Sequence, residues 1–349
     1  MAPEVKGLET LNETLKQKHL EGLWKTFADQ PLKMEPSSSM TPWVWRWEDL
    51  SEALTGAEEF VSLESVEDRR VIRMVNPGLG TGAPTSRTMQ MSVQLVKPGE
   101  IARAHRHTIA AIRFIISGHG AYTTVDGERF DMAPGDLVLT PNWTWHDHGN
   151  YADEPMIWLD GLDYPLLDRL ETGFFQPYEQ DRQSVVKATD HSLKRLGIVR
   201  PGRRASQAQE PAIHYRWEHV LSLLSDLKAE EESPYDGRVV EYVNPLTGGP
   251  TLRTMACSIQ MLERGQTTRA HRHTSTSLYH VIEGEGTTRV GEHTLVWKAK
   301  DCFVVPPWLV HQHEVSTASP RALLFSMSDR PVYEALGLYR EASNESELF

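Results

Sequence analysis

The chain has no apolar run of about 18 residues, the length a membrane helix requires. No membrane partner is therefore expected. Its first residues, MAPEVKGLETLNETLKQK, lack the basic-then-apolar layout of a secretory signal, so the expected location is cytoplasmic. Cysteine is nearly absent. Cys257 and Cys302 are too few for a disulfide framework and read as small buried apolar residues. A basic surplus is lacking too: 36 Lys and Arg stand against 48 Asp and Glu, for a net charge of −12. That excludes an extended nucleic-acid surface, and no nucleic-acid partner is expected. Small anions stay possible, because one local arginine suffices to hold a carboxylate. The 349 residues are 39% hydrophobic, which is ordinary for a globular protein. At roughly 150 residues per domain, they make about two domains.

What the chain does contain is written twice. Arg87-Thr88-Met89 recurs as Arg253-Thr254-Met255, and at the same offset His105-Arg-His107 recurs as His271-Arg-His273. Pro141-x-Trp143-x-x-His146-x-His148 recurs as Pro306-x-Trp308-x-x-His311-x-His313. Gln94 matches Gln260, Gly118-x-Gly120 matches Gly284-x-Gly286, and Asp163-x-Pro165 matches Asp329-x-Pro331. Upstream, TPWVWRWEDLSEAL corresponds to AIHYRWEHVLSLL. So many landmarks in one order and at nearly one spacing indicate two homologous domains.

Each unit reads mainly as strand. TMQMSVQLV and RTMACSIQML alternate as half-buried strands do, and Asp126-Gly127 is a hairpin signal. Short strands with Gly and Pro turns every 8–12 residues indicate an all-β sandwich or barrel. Helical spacing is confined to about 9–30, 47–58 and 216–230. The polar, basic segment 179–212, with Arg203-Arg204, reads as a solvated inter-domain connection.

Residues i and i+2 of a strand share a face, so His105 and His107 project together, as do His146 and His148. Imidazole suits Fe, Zn, Cu and Ni, and three neutral donors leave positions open for further ligands. His105, His107 and His146 are the expected metal ligands. The spacing around them resembles the two cupin motifs: Gly99, five residues, His105-x-His107; then Gly135, five residues, Pro141, and His146 with Asn150. The glutamate that usual cupins carry four residues after the second histidine is replaced by Ala111, and by Ser277 in the second half.

Beyond the motifs, NPGL (76–79), AHRHT (104–108), RFII (113–116), GAYTTVDGE (120–128), TPNWTWHDHGN (140–150) and WLDGLDYPL (158–166) closely resemble gentisate 1,2-dioxygenases and the related salicylate and 1-hydroxy-2-naphthoate dioxygenases. YVNPLTGGP (242–250) and SDRPVYEALGLYRE (328–341) extend the resemblance through the second half. It implies an all-β dominated bicupin: two tandem cupin (double-stranded β-helix, jelly-roll) barrels with helical N-terminal and connecting segments. The expected division is a helical N-terminal region packing on the barrels (1–70), cupin 1 with the metal (71–178), linker and helix (179–235), and cupin 2 (236–349). The implied enzyme is an Fe(II) dioxygenase with dioxygen as co-substrate. It would open the ring of a small aromatic hydroxy acid between the carboxyl- and hydroxyl-bearing carbons. Gentisate, giving maleylpyruvate, leads; salicylate and 1-hydroxy-2-naphthoate are alternatives. A homo-oligomer, a tetramer, is implied as well.

Matching positions suggest that Arg113 holds the substrate carboxylate, since a guanidinium offers two parallel hydrogen bonds. A structural ion pair is the competing reading. His148 faces the same interior and is the candidate to take a phenolic proton. Gln94 is a candidate contact to substrate or dioxygen, Asp160 to a second ring hydroxyl, Arg69 to the pocket, and Trp145 to its wall. Gln90-Met91-Ser92 stands where gentisate enzymes tend to have an aromatic and small residues, which keeps the alternative substrates open. The second half retains His271, His273, His311 and His313, so a second metal is possible there. Tyr279, however, stands where Arg113 would. A non-catalytic metal-binding bicupin is the alternative of another class, and a manganese decarboxylase a third; the missing glutamate argues against the latter.

Overall fold

Short strands whose two faces are both apolar must be covered on both sides, and the chain achieves this by stacking sheets. The computed structural model describes residues 3–29, 33–62, 70–196 and 212–343, arranged in four sheets of six, six, five and five strands. One six-stranded and one five-stranded sheet form each barrel. In the first barrel, Gln90–Val96, Ala111–Ser117, Leu137–Thr140 and Met156–Leu162 lie in the larger sheet, and Ile101–His107, Ala121–Val125, Glu128–Asp131 and His146–Asn150 in the smaller. Gln90–Val96 is buried along its whole length. One of its faces looks into the barrel and the other toward the second barrel. A continuous apolar core accordingly runs from Met91, Ile112 and Leu159 to Ile259, Phe325 and Met327.

The expected all-β bicupin architecture is what the chain forms. Asp126 (φ 47°) and Gly127 (φ 76°) make the predicted hairpin turn between Val125 and Glu128. Helices span Trp47–Phe60 and Trp217–Asp226, close to expectation. The single helix expected over 9–30 is instead two, Pro3–Gln17 and Leu23–Asp29. His19 between them adopts φ 55°, a left-handed conformation that ends the first helix. These two helices belong to a unit, 1–37, separate from 38–349.

The duplicated upstream segments are exchanged. Trp43–Trp45 pairs antiparallel with Cys302–Val305 of the second barrel, while His214–Tyr215 pairs with Leu137–Thr140 of the first. Buried aspartates lock both. Asp136 accepts from Trp217 N (2.9 Å) and from His214 Nε2 (2.7 Å), and Asp301 accepts from Trp47 N (2.8 Å) and Arg46 Nη1 (2.9 Å). Asp163 and Asp329, read from sequence as turn residues, also cross between the barrels: Thr254 Oγ1 donates to Asp163 Oδ2 (2.7 Å), and Thr88 to Asp329.

The segment after 178 is not simply solvated. Gln183 donates from its backbone and its amide to Asp147 Oδ2 and accepts from Gly127 N, and Ser192 donates to Glu128. Polar side chains on the outer strand faces need partners, and this segment supplies them. Arg203-Arg204 lies outside the described residues.

Candidate metal and substrate site

The strand period of two is what gathers the site. His105 and His146 are direct cross-strand partners, and a register shift between Ala102 and His105 aims the HxH pair inward. Ring centroids of His105 and His146 are 4.4 Å apart, of His107 and His146 4.7 Å, and of His105 and His107 5.5 Å. One ligand nitrogen from each lies within 4.8 Å of the others. Each ring is oriented by its own backbone: Nδ1 meets Arg103 O (2.7 Å), Ile109 O (2.8 Å) and Thr144 O (2.9 Å) respectively. A carbonyl only accepts, so Nδ1 carries the hydrogen in all three and Nε2 carries the lone pair. That is the donor set a divalent transition metal requires, with ring orientation fixed by second partners. These three histidines could therefore hold a metal.

The triad opens into a cavity of about 800 Å³ that Arg113, His148, Gln94 and Asp160 also line. Arg113 is buried. Its Nη1 donates to Thr140 Oγ1 (2.8 Å), and its Nε lies 3.3 Å from Asp160 Oδ1, the residue directly across from it in the sheet. The ion-pair reading of Arg113 is thus part of the site. Asp160, read as a candidate hydroxyl contact, has its carboxylate between Arg113 and Trp158 Nε1 (3.0 Å). Burial pushes its carboxyl up to about 6 against the opposing pull of Arg113 and Trp158.

His148 Nδ1 lies 2.7 Å from Thr123 Oγ1, whose hydroxyl donates to Asp147 O (3.2 Å). With that proton committed, His148 Nδ1 donates to Thr123, and its Nε2 is the basic nitrogen. Burial, reinforced by the neighbouring imidazoles and Arg113, holds His146 and His148 well below the ordinary imidazole range. Both are neutral near pH 7. The amide of Gln94 makes no hydrogen bond among the described residues and faces the cavity. Trp145 does not line it. It packs against Tyr178 (4.8 Å) and the Arg106 guanidinium (4.4 Å) instead. Arg69 lies outside the described residues.

The cupin domain model matches residues 92–161 and 258–327, one segment in each half. Gentisate 1,2-dioxygenase 1 of Aquipseudomonas alcaligenes is 38% identical over 95% of this chain and 94% of its own length. 5-Aminosalicylate 1,2-dioxygenase of Comamonas sp is 40% identical over 96% of this chain and 90% of its own. The crystal structure of salicylate 1,2-dioxygenase from Pseudoaminobacter salicylatoxidans in its gentisate adduct superposes with a TM-score of 0.86, at 33% identity, over 99% of this chain and 95% of that one.

The chain belongs to the gentisate 1,2-dioxygenase family.

In this family member, further pocket residues escaped sequence reasoning. Phe174 and Phe175 line the cavity because the strand Phe175–Pro177 pairs with His105–His107, a pairing between distant parts of the chain that no local pattern announces. Arg73 and Tyr164 also line it; Arg73 Nη2 donates to Tyr164 Oη (2.6 Å) and its Nε to Gln90 Oε1 (3.3 Å). Only the alternation of Val71, Arg73 and then Gln90, Ser92, Gln94 on facing strands hinted at a shared wall. No helix among the described residues is long and apolar enough to cross a membrane.

Proposed function

We propose that this protein is an Fe(II)-dependent dioxygenase that opens the ring of a 2-hydroxybenzoate-type acid between its carboxyl- and hydroxyl-bearing carbons. Gentisate, giving maleylpyruvate, is the leading substrate, with salicylate and 1-hydroxy-2-naphthoate as alternatives. The observation that carries this is a buried guanidinium and a basic imidazole nitrogen lining one cavity with a three-histidine metal set. In a non-catalytic bicupin Arg113 would serve only its pairing with Asp160 and Thr140, and would not need to line the cavity beside the histidines. Ferrous iron bound by His105, His107 and His146 would supply the redox chemistry that dioxygen needs, and leave positions for a chelating carboxylate and hydroxyl. The family resemblance also supports a homo-oligomer, a tetramer, working in the cytoplasm.

The chain's own groups divide the remaining tasks. Arg113, held by Thr140 and Asp160, receives the substrate carboxylate. His148 Nε2 takes the phenolic proton, which keeps the ring electron-rich. Gln94 offers an amide to the bound acid or to dioxygen. Phe174 and Phe175 cover the ring and exclude water. Ser92 Oγ, buried without a partner, lines the same cavity and favours an acid with a further polar substituent, as gentisate has.

Oxygen uptake by Fe(II)-loaded protein, given gentisate, salicylate and 1-hydroxy-2-naphthoate singly, tests the proposal. Uptake with at least one acid is expected, and none in His105→Ala. Silence toward all three despite bound iron would sink it.

Two variants probe the roles. Thr123→Val removes the acceptor that fixes His148, and kcat should fall about 10- to 100-fold while KM holds. An unchanged kcat removes His148 from proton transfer. Asp160 ionises as pH rises through about 6, and its charge then opposes a carboxylate docked on Arg113. KM should accordingly rise from pH 5 to 7. In Asp160→Asn, which cannot ionise, KM should stay flat over that range; a persisting rise would assign it elsewhere.

A further inference from the structure

The second barrel gathers His271, His273 and His311 with nearly the ring spacing of the first-barrel triad, though without its tight convergence of ligand nitrogens, and then seals them. Ring centroids of His271 and His311 are 4.3 Å apart, of His273 and His311 5.0 Å, and of His271 and His273 5.6 Å. Each separation closely matches its counterpart in the first barrel. The outer nitrogens are again satisfied by fixed acceptors. His273 Nδ1 lies 2.9 Å from Ser275 O, His311 Nδ1 3.2 Å from Leu309 O, and His271 Nδ1 3.4 Å from Glu341 Oε1. Nδ1 thus carries the hydrogen, and the lone pairs sit on Nε2.

What differs is the state of those nitrogens. His271 Nε2 and His311 Nε2 are buried with no hydrogen-bond partner, and so is Nε2 of neighbouring His313. The three residues are 5%, 1% and 0% exposed. An orphaned buried polar atom costs about as much as a lost hydrogen bond, so the Nε2 atoms of His271 and His311, two members of one triad, call for a partner. A cation bound between them would satisfy both lone pairs. Glu341 on the back of His271 completes the carboxylate–histidine–metal arrangement that raises ligand basicity.

The surroundings decide what else can enter. Tyr279 occupies the place of Arg113 and stacks on Phe303 at 4.6 Å. Arg330, in the place of Tyr164, is paired with Glu241 (2.8 Å) and Glu334 (3.4 Å). Tyr339 and Glu341 stand where the first barrel has Gly173 and Phe175, and the cavity that His271 and His273 line is about 160 Å³ against about 800 Å³. Among the described residues lining it, no uncommitted guanidinium awaits a carboxylate, and an aromatic ring has no apolar slot. The strand Glu341–Ser343, which supplies the carboxylate, pairs directly with His271–His273.

We propose that His271, His273 and His311 hold a second divalent transition metal, closed to aromatic acids, that fastens the strand Glu341–Ser343 to the second barrel through Glu341. The metal takes water or a small inorganic anion as its remaining ligands. It takes no part in ring cleavage, so this inference stands apart from the reaction assigned to the first barrel.

The test is a titration of chelator-stripped, full-length protein with Co(II), read by its visible absorption and by metal analysis after gel filtration. Wild type should bind two equivalents. His105→Gln/His107→Gln should bind one, and its ring cleavage should vanish. His271→Gln/His311→Gln should also bind one, with ring cleavage by the iron-loaded protein within about twofold of wild type. Glu341→Gln should weaken one of the two equivalents roughly 10-fold. A single equivalent in wild type that disappears in His105→Gln/His107→Gln overturns the proposal, as do two equivalents retained by His271→Gln/His311→Gln. Should that last variant not fold, as judged by circular dichroism, wild type and His105→Gln/His107→Gln decide alone: two and one sustain the second site, one and none overturn it.

Discussion

Methionine in place of Arg113 is expected to lower kcat/KM by about 30- to 5,000-fold while the metal content stays unchanged. Removing one partner of a buried charge pair costs about 2–5 kcal/mol, and each 1.36 kcal/mol is about tenfold in rate. Two losses combine here. The substrate carboxylate loses its anchor, and Asp160 is left buried without its cation, 3.3 Å from where the guanidinium was. Methionine keeps the length and packing of the side chain, so the fold should survive. Lysine should rescue little, because a single ammonium cannot serve Thr140, Asp160 and a carboxylate in the plane that Arg113 provides. Steady-state kinetics beside metal analysis read the result. A kcat/KM within about fivefold of wild type would mean that the carboxylate docks elsewhere, with Arg113 only an ion-pair member.

Asp136→Ala should be the most destabilising single change outside the metal site, at about 3–5 kcal/mol. The carboxylate accepts from Trp217 N, His214 Nε2 and Ala133 N, and its removal orphans all three at a buried seam. Burial alone would push this carboxyl upward; the bonds from His214 and Trp217 reverse that and hold it below its ordinary value. A group with a depressed folded-state pKa stabilises above its unfolded pKa and loses that contribution as pH falls through the folded value. The deficit of Asp136→Ala should therefore be full at neutral pH and shrink below about pH 4. Thermal melts at pH 7 should drop by roughly 5–10 °C. A shift below about 2 °C would show that the exchanged strand does not depend on this clasp.

The three-histidine cluster was legible from sequence because its geometry is local: a period of two puts His105 beside His107, and a repeat at fixed spacing exposes the motif twice. The all-β architecture was legible for the same reason, through alternation and through Asp126-Gly127. Long-range pairing was not. Nothing in WVW or HY says that each will join the other half's barrel, since a three-residue strand has no register signal of its own. The pairing of Asp160 with Arg113 was not legible, because an aspartate's partner is chosen across the sheet and not along the chain. The break near His19 was missed because its residues carry no Pro, and Gly22 stands beyond the turn. The segment after 178 was read as solvated from composition, yet its polar side chains are what Asp147 and Glu128 require.

The exchange of Trp43–Trp45 and His214–Tyr215 has a consequence for synthesis. A ribosome delivers about 5–20 residues per second. Trp45 waits for Cys302, far along the chain, so its strand spends roughly 13–50 s without a partner. During that time an aromatic edge is available to any neighbouring nascent chain. The first barrel likewise stays open at Leu137–Thr140 until residue 215 has emerged. Neither half can finish before the other begins. The two repeats thus form one cooperative object, and cutting the chain at the repeat boundary should yield two insoluble fragments.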